Sequence, residues 1–258
     1  MKTRISLVIN TYNEAENIKA CIESARGLAD EVIVADMGSS DGTEEIAVSL
    51  GASVHTVPRS AFVEPAREKA VSFASGDWIL RLDADERLTP VLRARFRDIA
   101  ENNLADVVEV FDETWMFGKI IRYSGWQDTT TKVFFRKGFL DLSDADVHSH
   151  PQHKGRLQRL ERQEGEIVHF NYRDIRQFVA KMNNYTDGEA LKLRRQGGRL
   201  TPLRGIYWGV RHFLRRYLLR SGYKDGWHGF MLCAFMGFYW FLSFCKAWEL
   251  NNKEAKGV

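Results

Sequence analysis

Gly76-Asp77-Trp78-Ile79-Leu80-Arg81-Leu82-Asp83-Ala84-Asp85-Glu86 combines a short apolar run with a group of acidic residues at its end. The run at residues 78–82 is too brief for a helix, so we expect a buried strand there. Ligands of an open α/β sheet bind beyond the carboxyl ends of its strands, so the carboxylates should project into a crevice. Asp83 and Asp85 are two residues apart, which places both side chains on one face of an extended chain.

Carboxylate oxygens in this arrangement suit Mg²⁺ or Mn²⁺, and such a cation can in turn hold a diphosphate. An acidic turn facing solvent is the alternative, because Thr89 and Pro90 have the form of an N-cap followed by proline at the first helical position. The Asp-x-Asp pattern alone does not decide between these two interpretations. The rest of the chain has to decide between them.

The bulk composition is that of a globular protein. Its 258 residues, 44% of them hydrophobic, are enough to bury a substantial core. The formal net charge of +3 is too small to argue for a nucleic acid partner. Cys21, Cys233 and Cys245 are odd in number and lack paired metal-ligand spacing, which is typical of structural thiols in a reducing compartment. No apolar leader follows Met1, so we expect a cytoplasmic protein.

Strand patterns and helix patterns alternate through the first part of the chain. Besides the run at 78–82, the strand patterns lie at residues 5–9, 31–36 and 54–57, and the helical patterns lie at residues 18–25, 44–50 and 64–75. This alternation predicts an α/β protein with a doubly wound, mostly parallel sheet flanked by helices. Right-handed crossovers would bring residues 10–13, 36–41 and 83–85 to one rim of that sheet.

Four linked motifs resemble the family-2 glycosyltransferases, which have the GT-A-type nucleotide-sugar-binding fold. They are Thr11-Tyr12-Asn13-Glu14, Asp36-Met37-Gly38-Ser39-Ser40-Asp41-Gly42-Thr43, Ala66-Arg67 and the stretch at 76–86. Their order and spacing match the family over roughly the first ninety residues. The Asp-Ala-Asp-Glu form and the later histidine-rich part are similar, more loosely, to bacterial enzymes that build lipopolysaccharide cores and other surface glycans.

The resemblance implies a binding site for a nucleotide diphosphate sugar. The residues that it assigns to the donor are Thr11, Tyr12, Asn13, Asp36, Arg67 and Asp83. Asp36 would accept the N–H of the base, and an arginine fork such as that of Arg67 suits phosphate oxygens. Many relatives have a second acid where Met37 stands and Asn where Glu68 stands, which leaves the identity of the base open. Asp41 is better explained by turn and capping chemistry.

The metal site implied by the resemblance contains Asp85, with Asp83 next to it. His169 follows an apolar run, and a histidine at a strand end can complete such a site, as a late histidine does in several GT-A-type enzymes. A hydrogen-bonded core histidine is equally compatible with the sequence.

The catalytic base is expected in the segment at residues 141–151. An inverting sugar transfer needs a base within hydrogen-bond reach of the acceptor hydroxyl. The Glu-Asp pair that supplies it in many family-2 enzymes is absent after the metal motif, so the candidates are Asp144, Asp146 and His148. The Val147-His148 pair resembles a feature of the lipopolysaccharide-type relatives, although a surface histidine is the alternative.

Beyond Tyr172 the pattern becomes helical, so we divide the chain into a catalytic domain at residues 1–172 and a helical extension at residues 173–258. Residues 203–224 contain six basic residues, no acidic residue and several aromatic residues, which is typical of a segment at an anionic membrane surface. The uncharged run at 230–245 is shorter than the ~20 residues that span a bilayer, so we expect a buried, interfacial or re-entrant helix. A helix packed on the catalytic domain or in a homo-oligomer is the alternative.

These features together predict a metal-dependent, inverting glycosyltransferase at the inner face of the cell membrane. Its donor would be a nucleotide diphosphate sugar, its cofactor Mn²⁺ or Mg²⁺, and its acceptor a lipid-linked glycan or lipopolysaccharide. A nucleotidyltransferase would need a glycine- and lysine-rich phosphate loop near the N-terminus, and the sequence has none. A membrane-associated scaffold that binds nucleotide sugars without transferring them is the remaining alternative.

Overall fold

The chain folds into two compact units in the computed structural model, which describes residues 3–59, 64–142, 151–197 and 200–255. The first unit comprises Met1–Glu113 and Thr129–His169, and the second comprises Thr114–Asp128 and Phe170–Val258. The predicted boundary at residue 172 lies close to the end of the first unit. Residues 114–128, which the sequence analysis included in the catalytic domain, group with the helical part of the chain instead.

A mixed sheet forms the first unit. The strands are β1 (Ile5–Thr11), β2 (Glu31–Asp36), β3 (Ser53–Thr56), β4 (Trp78–Asp83), β5 (Glu86–Leu88), β6 (Val107–Met116), β7 (Lys119–Ile120), β8 (Thr130–Arg136), β9 (Leu157–Arg159) and β10 (Ile167–Tyr172). Their order in the sheet is β3-β2-β1-β4-β8-β6-β10-β5, with β9 also pairing with β6. Strands β1 to β4 pair in parallel, as the alternating pattern predicted. Strand β8 lies antiparallel to both β4 and β6. The strand β6 continues into the second unit, where it pairs with β7.

Helices cover both faces of this sheet. They are α1 (Ile18–Ser24), α2 (Thr43–Ser49), α3 (Glu64–Ser72) and α4 (Pro90–Asn102), with a 3₁₀ turn at Arg162–Glu164. Alternate residues of β1 enter different apolar layers: Leu7 and Ile9 pack in one, and Val8 packs in the other. Burial on both faces explains why the strand is a continuous apolar run. The predicted cap of α4 is confirmed, because the Thr89 hydroxyl accepts a hydrogen bond from the Leu92 N–H at 3.3 Å.

The register of the parallel strands places polar residues at a common rim. Asn10 at the end of β1 pairs with Asp83 at the end of β4, and Thr11 pairs with Asp36 at the end of β2. The prediction that these strand ends meet is therefore confirmed. Paired residues of neighbouring strands point to the same face of a sheet, so Asn10 and Asp83 share one face.

Three helices dominate the second unit: α5 (Ile175–Arg195), α6 (Pro202–Leu214) and α7 (Gly226–Ala255), with a π-helical turn at Arg215–Leu219 and a 3₁₀ turn at Gly222–Asp225. The uncharged run at 230–245 lies inside α7, which has 30 residues. The helix is longer than the uncharged run predicted, because that run marks only its centre. The stretch Gly222–Asn252 is long and apolar enough to cross a bilayer by length and composition, and a third of its most apolar window is buried within the protein.

Candidate active site

Asp83 ends β4 and forms an ion pair with Arg67 of α3, whose Nη2 lies 2.8 Å from Oδ2. The other carboxylate oxygen, Oδ1, is shielded from solvent and has no hydrogen-bond partner among the described residues. Shielding from solvent would raise the pKa of Asp83, but the guanidinium groups of Arg67 and Arg81 hold it below its usual range. The structure thus brings together two predicted donor residues and keeps the carboxylate ionised.

Asp85 and His169, two predicted metal ligands, also lie together. The imidazole Nε2 of His169 is 3.6 Å from Asp85 Oδ2, and Nδ1 is 4.0 Å from Glu86 Oε1. The antiparallel pairing of β10 with β5 produces this arrangement, because His169 is opposite Glu86 in the register. Burial lowers the pKa of His169, but the nearby carboxylates of Asp85, Glu86 and Asp112 outweigh that effect and raise it to about 10.

Three buried charged groups at this rim were not assigned a role from the sequence. Arg81 in β4, Glu86 in β5 and Asp112 in β6 are all more than nine-tenths buried. Burial raises the pKa of Glu86 to about 8, with a further contribution from the charge of Asp83, and burial also raises the pKa of Asp112 to about 6. The alternation of side chains along a strand could have identified two of them from the sequence. Arg81 stands two residues before Asp83 and therefore shares its face, and Asp112 continues the buried alternation of Val108 and Val110.

Asn10 is a further buried polar residue that the donor assignment left out. The side chain is 4% exposed, and neither its Oδ1 nor its Nδ2 has a hydrogen-bond partner among the described residues. The hydroxyl of the neighbouring Thr11 is also buried and lacks a hydrogen-bond partner among the same residues. An unpaired buried amide costs free energy, so native proteins rarely keep one without a reason. The residue pairs in register with Asp83, which places this amide at the rim.

The predicted base-binding carboxylate, Asp36, lies at the same rim and is already engaged by its own loop. Its Oδ2 accepts hydrogen bonds from the backbone N–H groups of Gly38 at 2.9 Å and Ser39 at 2.8 Å, and the Ser39 hydroxyl donates to Oδ1. These bonds hold the carboxylate in a fixed orientation at the end of β2. A carboxylate has about four lone-pair sites, so one more donor can still be accepted.

Tyr12 and Asn13 occupy the loop after β1. The guanidinium of Arg59 lies 4.0 Å above the centre of the Tyr12 ring and donates to its hydroxyl at 2.8 Å. The Oδ1 atom of Asn13 accepts from the Ser40 N–H at 2.8 Å, which ties this loop to the loop that follows β2. Asn13 has a left-handed backbone with a φ of 55°, a conformation that asparagine tolerates better than most residues.

Asp41 serves the local backbone, as the capping interpretation predicted. Its Oδ2 accepts from the Ala15 N–H at 3.0 Å, and its Oδ1 accepts from the Thr43 N–H at 3.1 Å.

The base candidates Asp144, Asp146 and His148 fall within residues 143–150, which lie outside the described residues. Their role stays a prediction.

The side chains at the rim fit a divalent cation that is shared with an anionic ligand. Asp85 offers a carboxylate, His169 offers an imidazole whose proton the cation would displace, and Asp83 offers an oxygen without a hydrogen-bond partner in the part of the chain that the structure describes. Within the described ranges, no three such side chains converge on one point. Mg²⁺ is usually held by one or two carboxylates together with waters and substrate phosphates, so a closed protein cage is not required.

Comparison with known proteins gives consistent results over most of the chain. The family model described as glycosyl transferase family 2 matches residues 6–162. An uncharacterised glycosyltransferase of Rickettsia prowazekii is 28% identical over 267 residues, covering 97% of this chain and 89% of that protein. The lipopolysaccharide core biosynthesis glycosyltransferase LpsC of Rhizobium meliloti is 26% identical over 272 residues, covering 99% of this chain and 96% of that protein.

One solved structure with local similarity is glucosyl-3-phosphoglycerate synthase from Mycobacterium tuberculosis in complex with Mn²⁺, uridine diphosphate and glucosyl-3-phosphoglycerate. Its sequence is 28% identical in a match covering 43% of this chain and 44% of that one, with a TM-score of 0.37. The chain therefore spans less than half the length of that enzyme. The predicted GT-A-type fold, with its mostly parallel sheet, flanking helices and helical C-terminal extension, is confirmed by the observed strand order together with the family match.

The buried acids predict how stability changes with pH. The pKa of folded Glu86, about 8, lies above its ordinary value of 4.5, so the folded protein binds more protons than the unfolded chain between these values. Stability should therefore fall as pH rises through this window, and His169 adds the same sign above its ordinary pKa of 6.5. In metal-free buffer, we expect the Tm to fall between about pH 6 and pH 9.

Glu86→Gln should reduce that slope, because the amide keeps an oxygen for the Asp83 N–H but does not titrate. Differential scanning calorimetry of the two proteins across the same pH range measures the effect. Equal slopes in both proteins would show that Glu86 does not titrate in this window.

Proposed function

The chain belongs to glycosyl transferase family 2, and from this premise we propose that it transfers a sugar from a nucleotide diphosphate sugar to an acceptor hydroxyl with inversion at the anomeric carbon. The observation that carries the proposal is the placement of the Arg67–Asp83 ion pair beside the Asp85–His169 pair at the carboxyl ends of the strands. Cationic and anionic groups at this rim match the charged and the hydroxylated parts of such a donor.

The donor would lie across the ends of β1, β2 and β4. The guanidinium of Arg67 is planar and can donate charge-assisted hydrogen bonds to phosphate oxygens. The shielded Oδ1 of Asp83 suits a ribose hydroxyl as its donor, and Asp36 has capacity for a base N–H. The Tyr12 ring would offer a flat apolar face to a base once the Arg59 guanidinium that covers it moves aside.

Asp85 and His169 would hold the divalent cation, Mn²⁺ or Mg²⁺. When bound, such a cation supplies charge neutralisation for the departing diphosphate. The protein's own part is to hold the Asp85 carboxylate close to His169. The carboxylates of Asp85 and Glu86 also hold the His169 imidazole in a fixed position at the strand end.

The chemical step exchanges one bond for another. The acceptor oxygen forms a bond to the anomeric carbon from the side opposite the diphosphate, and the bond from that carbon to the phosphate oxygen breaks. A base takes the hydroxyl proton, and His148, Asp146 and Asp144 remain the predicted candidates for this role. A single displacement of this kind inverts the anomeric configuration.

The proposed acceptor is a lipid-linked glycan or a lipopolysaccharide at the cytoplasmic face of the membrane. LpsC, which is similar over nearly the full length of both chains, is named as an enzyme of lipopolysaccharide core biosynthesis. The basic and apolar helices of the second unit agree with an acceptor that resides in a membrane. Hydrolysis of UDP-, GDP- and dTDP-sugars by the purified chain tests the transferase proposal, and absence of both turnover and binding with all three would reject it.

The Asp85 carboxylate should be essential for metal-dependent donor binding. Asp85→Ala removes a carboxylate that would bind the cation, so we expect loss of the Mn²⁺-dependent part of donor affinity without loss of the folded state. Calorimetric titration of the nucleotide with and without Mn²⁺ measures it. Glu23→Ala is the matched control, because Glu23 is an exposed carboxylate on α1 away from the rim. Undiminished Mn²⁺-dependent affinity in Asp85→Ala would remove Asp85 from the metal role.

The Asn10 amide should raise the affinity for the donor without stabilising the fold. Asn10→Leu replaces a buried amide, which has no hydrogen-bond partner within the described ranges, by an apolar side chain of similar size, so the free energy of unfolding should stay the same or rise. Nucleotide affinity should fall by about tenfold, the equivalent of one net hydrogen bond. Asn17→Leu is the comparison, because the amide of Asn17 is hydrogen-bonded to Glu14 and Arg87 and its loss should lower stability. If Asn10→Leu is destabilised and binds the nucleotide normally, Asn10 has a structural role.

The base candidates are tested by kinetics. His148→Ala or Asp146→Asn should lower kcat by roughly 10²-fold or more with little change in donor affinity, if that residue takes the acceptor proton. Asp144→Asn serves as the third variant. Near-normal kcat in all three would place the base outside this segment.

A further inference from the structure

Helix α6 carries a continuous stripe of exposed apolar side chains in the second unit. Leu203, Tyr207, Val210 and Leu214 follow one another at intervals of three or four residues and are 79%, 62%, 53% and 44% exposed. At 3.6 residues per turn, this spacing aligns them along one face of the helix. A stripe of this size on a soluble surface marks an interaction site.

The opposite side of α6 is fixed against α7 by close backbone contact. A Cβ atom added to Gly209 would lie 2.9 Å from the carbonyl oxygen of Gly237, and one added to Gly237 would lie 2.9 Å from that of Gly209. At Gly205, an added Cβ would lie 3.0 Å from the Cβ of Phe244. The helix cannot rotate without forcing larger side chains into this contact, so the apolar stripe is held facing outward.

A row of exposed arginines borders the stripe. Arg204, Arg211 and Arg215 each follow a stripe residue directly, so they lie about 100° further around the helix. The segment at 203–224 itself contains no acidic residue. The surface that results has an apolar centre and a cationic edge.

Two of the six basic residues in that segment have structural roles instead. The Nη1 of Arg216 donates to the Ser124 carbonyl at 2.7 Å, and its guanidinium lies 5.3 Å from the centre of the Trp126 ring. Arg220 forms an ion pair with Asp128. A count of basic residues therefore overstates the charge available to a partner, and variants at these two positions would disturb the fold.

We propose that this face of α6 docks in the plane of an anionic lipid bilayer, with the stripe at the acyl boundary and Arg204, Arg211 and Arg215 among the headgroups. Amphipathic helices with apolar and basic faces bind in this way, and long basic side chains reach back to the headgroups. Trp227, also largely exposed, adds an aromatic side chain of the kind that is enriched at membrane surfaces. A second copy of the chain is a poorer partner, because its α6 would bring another row of arginines without acids. The inference does not rest on the transferase chemistry.

The test uses the full chain and vesicles of either phosphatidylglycerol or phosphatidylcholine. We expect the protein to co-sediment with phosphatidylglycerol vesicles at low salt, to be released by high salt and to bind phosphatidylcholine far less. Arg211→Gln with Arg215→Gln should reduce the partition coefficient by about tenfold or more. Tyr207→Ser with Val210→Ser should reduce it as well, since less apolar area is then buried.

The matched control variants remove exposed basic and exposed apolar side chains from the first unit instead of from α6. Lys19→Gln with Arg26→Gln takes two exposed charges from α1 and the turn after it, and Val48→Ser with Val91→Ser takes two exposed apolar side chains from the first unit. Both controls should partition like the native protein. Circular dichroism of each variant establishes that it is folded.

Four results would overturn the proposal. The first is no binding to phosphatidylglycerol vesicles at low salt, and the second is equal loss of binding in the α6 variants and the controls. The third is a stable dimer in light scattering that Tyr207→Ser with Val210→Ser dissociates, which would assign the stripe to a second copy. Retention of the protein in the membrane after alkaline carbonate extraction would contradict docking in the plane of the bilayer and indicate a crossing by α7.

Discussion

The burial of three ionisable groups at the carboxyl ends of the strands is the constraint on which the first unit depends. Arg81, Glu86 and Asp112 are each more than nine-tenths buried, and an isolated charge in that position costs several kcal/mol (on the order of 3–5 when a partner is removed). They remain tolerable because burial keeps Glu86 mostly protonated at neutral pH, with a pKa of about 8, and because Asp83 and Asp112 lie near the cationic groups of Arg81 and His169. A fold that needed stability alone would place apolar residues here, so the cluster indicates a site that handles charge.

The sequence was sufficient to predict the rim and most of its acids. A five-residue apolar run that ends in carboxylates, following two strand-loop-helix units, restricts the topology to few choices, and the register of β1 with β4 then brings Asn10 beside Asp83. The partner of Asp85 was harder to derive from physical principles. His169 is 84 positions away from it along the chain, and the antiparallel pairing of β10 with β5 depends on how the whole sheet closes. The strand pattern placed Asn10 at the rim, but Arg81, which the same period-two argument puts on the face of Asp83, was assigned no role.

In the second unit, hydropathy and charge counted along the sequence did not predict the structure correctly. The hydropathy of residues 230–245 describes the uncharged centre of α7, whereas the helix continues through residues that are charged at one end and glycine-rich at the other. Charge counting treated Arg216 and Arg220 like Arg211, although the first two bind Ser124 and Asp128 in the segment at 114–128. That segment comes before β8 in the chain and groups with the helices only through such long-range contacts, which local patterns do not contain.

The central claim is that the rim binds a nucleotide diphosphate and a divalent cation jointly. If both ligands share Asp85 and the diphosphate, each must raise the affinity of the other by the same factor. Calorimetric titration of the native chain with Mn²⁺ in the presence and absence of uridine diphosphate, repeated with the guanosine and thymidine diphosphates, measures this coupling. The account predicts weak Mn²⁺ binding alone and at least about tenfold tighter binding with one of the three nucleotides. Mn²⁺ affinity that is unchanged by all three nucleotides would contradict it.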